Sequence, residues 1–280
     1  MRPQGSWRYR WHAALLIQRR DLRSIILGLS MYIVLSLSLL ASALILRNYL
    51  NFVNESGLLV LSDPFRLPFL IVTFLFSLFL ALSSVTTIAR EKDQGTLEVL
   101  FYGPVDCFSY ILGKYLAQIS SYLVAAAIYV CCFILYADLT NLIFPFSMTW
   151  VIILSVLTIS AVIAFGIFLS TLTGTARAAL LLFLGVVLVF VAIQAGHEVL
   201  ANISPQGRYY NPILFLKNVF SFLNKVANWL SPFSYFNQGM NAVRRSSGIS
   251  YLVMLLVSAV YSVAFLGLSM VTLERKGVRK

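Results

Sequence analysis

Six stretches of the chain run apolar for the width of a bilayer without one Asp, Glu, Lys, Arg or His. They are Ser24 to Leu46, Leu67 to Ile88, Tyr115 to Leu135, Thr149 to Leu172, Ala178 to Ala195 and Ile249 to Thr272. A hydrocarbon core about 30 Å thick is crossed by about 20 helical residues, so each run suffices. Alternation with period two is missing, and lipid requires each backbone amide to be satisfied within its own segment, so helices are expected rather than barrel strands. The predicted fold is an all-α polytopic membrane protein with six transmembrane helices. The fifth run is the shortest and leaves open a tilted or partly re-entrant course. An even count places both termini on one side.

Between the runs the pattern changes to one-sided. Trp7, Trp11 and Leu15 share a helical face, with Arg8, Arg19 and Arg20 elsewhere on the wheel, so residues 1–23 read as a helix lying on the membrane surface. A disordered basic tail is the alternative for residues 1–6. The apolar stretch Ala13 to Ile17 is too short for a signal-peptide core, and no cleavage site follows it, so the segment is expected to stay attached. In the longest connection, 197–248, Leu216, Val219, Phe220, Leu223, Val226, Ala227 and Leu230 fall on one face and Lys217, Asn218, Ser221, Asn224, Lys225 and Asn228 on the other. An amphipathic outer helix follows from that split.

Composition sharpens the same picture. The chain has 280 residues, 60% of them hydrophobic and 11% charged, with a mean hydropathy of +0.87, beyond the range of a domain with a polar exterior. The net charge of +11 is unevenly spread: fourteen of the 21 Lys and Arg residues lie on the side of the termini and seven on the other. By the positive-inside rule both termini are expected in the cytoplasm, in a cell (plasma) membrane whose anionic inner leaflet is a natural partner for that charge. No compact basic domain exists to hold a duplex, so no nucleic acid partner is expected. Cys107, Cys131 and Cys132 make neither a disulfide framework nor a metal site and read as packing residues, while His12 and His197 fall on opposite sides.

The spans lack the ionisable groups through which proton pumps and many secondary transporters relay ions. The phosphate-loop pattern G-x-x-x-x-G-K-[ST], the H-E-x-x-H zinc helix and the G-x-S-x-G elbow are missing too. The chain is therefore not expected to be an enzyme. Any uphill movement would draw its energy from another subunit.

One polar segment breaks the apolar rhythm: "IAREKDQGTLEVLFYGPVDCFSYILGKY", residues 88–115. Gly95 can precede a short helix, "TLEVLFY", that puts Leu97, Leu100 and Phe101 on one side, with apolar residues and the Glu98 carboxylate available to a docking surface. Gly103 and Pro104 then break it, and Pro104 and Asp106 can open the next helix. A solvated connection without a role is the plain alternative. The segment resembles the E-x-x-x-G-T-x-E-x-L-x-x-x-P-V-x-x-x-x-x-x-x-G-K motif of type-two ABC transporter permeases, through Glu91, Gly95, Thr96, Glu98, Leu100, Pro104, Val105, Gly113 and Lys114. "WLSPFSYFNQGMNAVRR" before the last run is a second, weaker likeness.

The resemblance implies one permease domain over 1–280, with a cytoplasmic coupling loop at 89–114 and an extracytoplasmic helical loop at 197–248. It implies an exporter's membrane subunit that pairs with a second copy or a related six-span half. Cytoplasmic ABC ATPase subunits would bind ATP and Mg, leaving no cofactor in this chain. Glu91, Gly95, Thr96, Leu97, Glu98, Leu100, Phe101 and Pro104 are then the ATPase-coupling candidates. Helices in the 197–248 loop would cap the outer mouth of the route, or else rest passively on the leaflet. Thr73, Ser77 and Ser84 form a hydroxyl stripe that either lines a pathway or packs, and Gly166, Ser170 and Gly174 form a small-residue stripe suited to close helix contact. The contrasting reading is a membrane assembly or anchoring protein with no transport path; an intramembrane enzyme lacks the polar groups it would need.

Overall fold

The computed structural model describes residues 7–56, 64–102, 105–201, 210–244 and 248–277. They form ten helices: α1 (Trp7–Ile26), α2 (Leu29–Ser56), α3 (Arg66–Asp93), α4 (Thr96–Tyr102), α5 (Cys107–Leu139), α6 (Ser147–Leu172), α7 (Ala176–Ala201), α8 (Tyr210–Leu230), α9 (Pro232–Arg244) and α10 (Gly248–Gly277). Among the described residues there is no strand. Six of the helices, α2, α3, α5, α6, α7 and α10, are long and apolar enough to cross a membrane.

The helices depart from the apolar runs at their ends. Ser24 to Ile26 belong to α1, because the chain turns at Leu27 and Gly28, where Gly28 N donates to Ile25 O at 3.2 Å; the first span begins at Leu29. A Cβ on Gly28 would stand 3.1 Å from Ser24 O, so the turn favours glycine. The fifth span is an unbroken helix of 26 residues, as long as α6. Helix α5 has 33 residues. Its length of about 50 Å exceeds the hydrocarbon core by about 20 Å. The surplus includes the first two turns, Cys107 to Lys114, where the polar groups of the candidate site begin.

Helix α6 is the axis of the bundle. It packs on α3, α5, α7, α9 and α10, and 72% of its span is buried within the chain against 11% for α7, although the two are equally hydropathic. Small residues bring α3 and α6 together: a Cβ on Gly166 would overlap Ser84 Oγ, and the Ser170 hydroxyl accepts from the Ile88 and Ala89 amides at 3.1 and 2.9 Å. Gly174, third in that stripe, has open space where its Cβ would be.

At the other end, α9 is fixed to α6 through Gly239, whose missing Cβ makes room for Leu154. Arg66 Nη2 donates to Met240 O at 3.2 Å. Tyr235 Oη donates to Trp229 O and Tyr261 Oη to Leu230 O, holding the α8–α9 elbow against α10; burial pushes the Tyr235 phenol up from its ordinary pKa. Helix α8 packs on α7, with Phe220 in the space left by Gly196, and of its expected apolar face Ala227 is buried.

Candidate functional site

Helix α3 stops where the sequence supplies Gly95. Its φ of 69° lies in the left-handed region, which a Cβ would disfavour, and its N–H donates to Lys92 O at 3.1 Å. Thr96 Oγ1 returns a hydrogen bond to Glu91 O at 3.1 Å, and seven residues of helix follow as α4. Leu97 is buried at 3% exposure; Leu100 and Phe101 pack partly against the core, with the Phe101 ring 5.7 Å from that of Tyr110. On its other side α4 presents Glu98, Val99 and Tyr102, the last 91% exposed. Pro104 lies outside the described residues. Asp106 is the N-cap residue of α5; its carboxylate takes a bond from Ser109 Oγ at 3.0 Å and an ion pair from Arg10 of α1 at 2.9 Å.

Beneath α4 lies a group of charges that joins three helices. Lys114, about two turns into α5, is 4% exposed, and its Nζ sits 2.7 Å from Asp21 Oδ2 of α1 and 2.5 Å from Glu91 Oε1 of α3. Tyr110 Oη donates to Glu91 Oε2 at 2.5 Å. Arg20 Nε and Nη2 reach Asp21 Oδ1 at 2.9 Å and Glu91 Oε1 at 3.3 Å. Two cations thus meet two carboxylates, so the cluster carries no net charge where desolvation would otherwise be severe. Burial alone would lower the Arg20 pKa, but Asp21 and Glu91 outweigh it and hold the guanidinium above its ordinary value.

Close approach of α1 makes this contact possible. A Cβ on Gly113 would fall 2.8 Å from both Ala14 O and Ile17 Cβ, so glycine lets the helices meet. Ala14 and Ile17 are buried there, and Gln18 Nε2 donates to Ser120 Oγ at 2.8 Å. Helix α1 is therefore braced along α5 while Trp7, Trp11 and Leu15 stay 60%, 40% and 51% exposed, free to meet lipid.

The structure brings together Glu91, Gly95, Thr96, Leu97, Glu98, Leu100 and Phe101 at one end of the bundle, in two different situations. Glu91 turns inward to the charge cluster, and Glu98 points away from the bundle. Thr73, Ser77 and Ser84 are all buried inside the chain; the Ser77 and Ser84 hydroxyls donate to Phe74 O and Ala81 O, three residues back. Asp21, Arg20, Tyr110 and Gln118 belong to the site and carried no sign of it in the motif, apart from the four-residue spacing that puts Tyr110 and Lys114 on one face of α5. Among the described residues no group of three or more His, Cys, Asp or Glu side chains is placed to hold a metal ion.

Six membrane-length helices, with a short amphipathic helix suspended between the second and third of them on an ion-paired base, define a polytopic all-α membrane protein. The comparison with protein families agrees: the ABC-2 family transporter protein model matches residues 18–278, and the chain belongs to that family. It is accordingly a membrane subunit of an ABC transporter and not its ATPase. The search of curated proteins found no match.

Proposed function

We propose that the chain is half of the membrane pathway of an ABC exporter, paired with a second copy or a related six-span half. Separate cytoplasmic ABC ATPase subunits, which bind ATP and Mg, seat on α4 and drive it. The observation that carries the reading is the two-sidedness of α4: Leu97, Leu100 and Phe101 fasten it to the bundle, and Glu98, Val99 and Tyr102 face away. A push on that outer face reaches α3 through the tight turn at Gly95 and α5 through the Phe101–Tyr110 contact. The Glu91–Lys114–Asp21 cluster obliges α1, α3 and α5 to respond together. The excess of Lys and Arg on this side supports a cytoplasmic placement for α4 and both termini in the cell membrane. The outward direction follows the likeness of the 91–114 motif to that of type-two exporters.

The test is Glu98→Lys. The change lies on an exposed face of α4, so insertion and protein level are expected to stay normal. Reversing the charge in a docked, desolvated contact is expected to cost about 2–5 kcal/mol of association. Capture of the ATPase and transport should then fall together. Wild-type capture and transport at normal protein levels would remove α4 as the coupling element.

A further inference from the structure

At the end of the bundle away from α4, a cavity of about 400 Å³ lies between α2 and α5, within the range of small-molecule sites. The two helices touch nearer the middle of the bundle, where the Ser38 hydroxyl and Tyr129 Oη share a hydrogen bond of 2.8 Å. Beyond that contact they part. On α2, Ala43, Leu46 and Leu50 recur at helical spacing and give the cavity an apolar wall, to which Leu139 adds on the α5 side. Arg47 and Asn51, one turn apart, flank the α2 wall, and Tyr136 and Thr140 complete the other. Arg47 lies about 27 Å along α2 from Leu29, close to the thickness of a hydrocarbon core, so its guanidinium stands at the boundary where lipid phosphates lie.

Arg47 is exposed, and among the described residues no carboxylate is ion-paired with it. Glu55 and Asp138, the nearest acids along the two helices, do not line the cavity. A guanidinium left free in this way presents paired N–H donors in the geometry that suits a phosphate. Thr140 Oγ1 already donates to Tyr136 O at 2.6 Å, which leaves the Asn51 amide and the Tyr136 hydroxyl as neutral donors. Toward the bilayer centre the walls are apolar, a place for hydrocarbon and not for water. One occupant meets these conditions in the order in which a bilayer presents them, with phosphate outermost and hydrocarbon beneath. We propose that the cavity binds a phospholipid of the leaflet opposite α4, its phosphodiester on Arg47 and Asn51 and one acyl chain laid past Leu46 and Ala43. The Tyr136 hydroxyl, between the two levels, donates to an ester carbonyl. The inference rests on α2 and α5 spanning a membrane and not on transport, on ATPase docking or on which face is cytoplasmic.

Cations at the other end of the bundle also attract phospholipid, so the test must read this one site. The purified full chain is placed in nanodiscs of equal amounts of phosphatidylglycerol and monogalactosyldiacylglycerol, which share the ester-linked acyl chains and differ in the phosphate. In parallel samples one lipid or the other carries a diazirine on an acyl chain; light fixes it to the protein, and mass spectrometry identifies the labelled peptides. Peptides covering 43–50 and 136–140 are expected to be labelled about tenfold more by the phospholipid, as a hydrogen bond between charged groups would give. Arg47→Gln, at an exposed position, should bring that ratio near one and leave labelling around α1 unchanged. Ala43→Trp fills the apolar end and keeps Arg47 in place, so labelling there by both lipids should fall. Glycerol 3-phosphate in excess should not compete. Equal labelling by the two lipids in the wild type, the result for a guanidinium that only reaches into water, would overturn the proposal. So would an unchanged ratio in Arg47→Gln or unchanged labelling in Ala43→Trp. Competition by glycerol 3-phosphate would overturn the lipid source.

Discussion

Replacing Lys114 with methionine removes the cation that touches both Asp21 and Glu91 and leaves the rest of the side chain's volume. The two carboxylates stay behind with side-chain exposures of 14% and 19%, with Arg20 as a remaining cation at 2.9 and 3.3 Å and Tyr110 Oη still donating to Glu91. Loss of one member of a buried ion pair costs about 3–5 kcal/mol. Arg20 and the partial exposure of the acids argue for the lower end, about 3 kcal/mol. Glu91→Gln should cost less, since Lys114 keeps Asp21 and the amide can still accept from Tyr110. In the double variant the unpaired acid and the unpaired base vanish together, so its cost should fall short of the sum of the single costs by about 2 kcal/mol. Reversible unfolding of the chain in mixed micelles by dodecyl sulfate, followed by circular dichroism, gives all three values. Tryptic cleavage after Arg19, Arg20 and Arg23 reports in parallel whether α1 has left α5. Additive costs, or a cost below about 1 kcal/mol for Lys114→Met, would refute the view that the cluster binds the three helices.

Two other expectations follow from packing and placement. Gly166→Ala should destabilise the bundle by about 1–3 kcal/mol, because its Cβ would overlap Ser84 Oγ, and Ser84→Gly in the same chain should restore most of the loss; both are read from the same unfolding titration. With Cys107→Ser as background, a cysteine at Glu198 should react with an impermeant thiol reagent in intact cells, and one at Tyr102 only after the membrane is opened; the reverse pattern would invert the proposed orientation.

The spans were legible because about 20 uncharged residues in a row have few other uses. Their ends were not. Charges bound the apolar runs in the sequence, yet α3 runs on through Arg90, Glu91, Lys92 and Asp93, and α5 begins seven residues before Lys114. A helix does not stop at a charge when the charge finds a partner, and Lys114 finds two on helices distant in sequence. The motif residues Gly113 and Lys114 could be matched from the sequence, but their tasks depend on α1, whose place against α5 no periodicity discloses. For α1 the aromatic face was the visible feature, and the contact is made by the inconspicuous Ala14 and Ile17. The amphipathic pattern of α8 was equally plain, yet a pattern names a face and not its neighbour: Leu216, Leu223 and Val226 remain 46%, 38% and 47% exposed while Ala227 is buried.

The charge cluster also has a history in time. Its members are drawn from three places in the chain, and the lysine emerges last. At about 5–20 residues per second, the roughly 90 residues between Asp21 and Lys114 take about 5–20 s to synthesise. Throughout that interval α1 must wait at the membrane without the helix that will hold it. Asp21 has Arg20 as its neighbour, with Arg20 Nε 2.9 Å from its Oδ1 in the finished fold, so the acid carries its own counterion from the moment both leave the ribosome. Glu91 follows with Arg90 and Lys92 on either side. Each carboxylate thus travels to the assembly beside a temporary cation, and the arrival of Lys114 completes an ionic joint between segments made at different times.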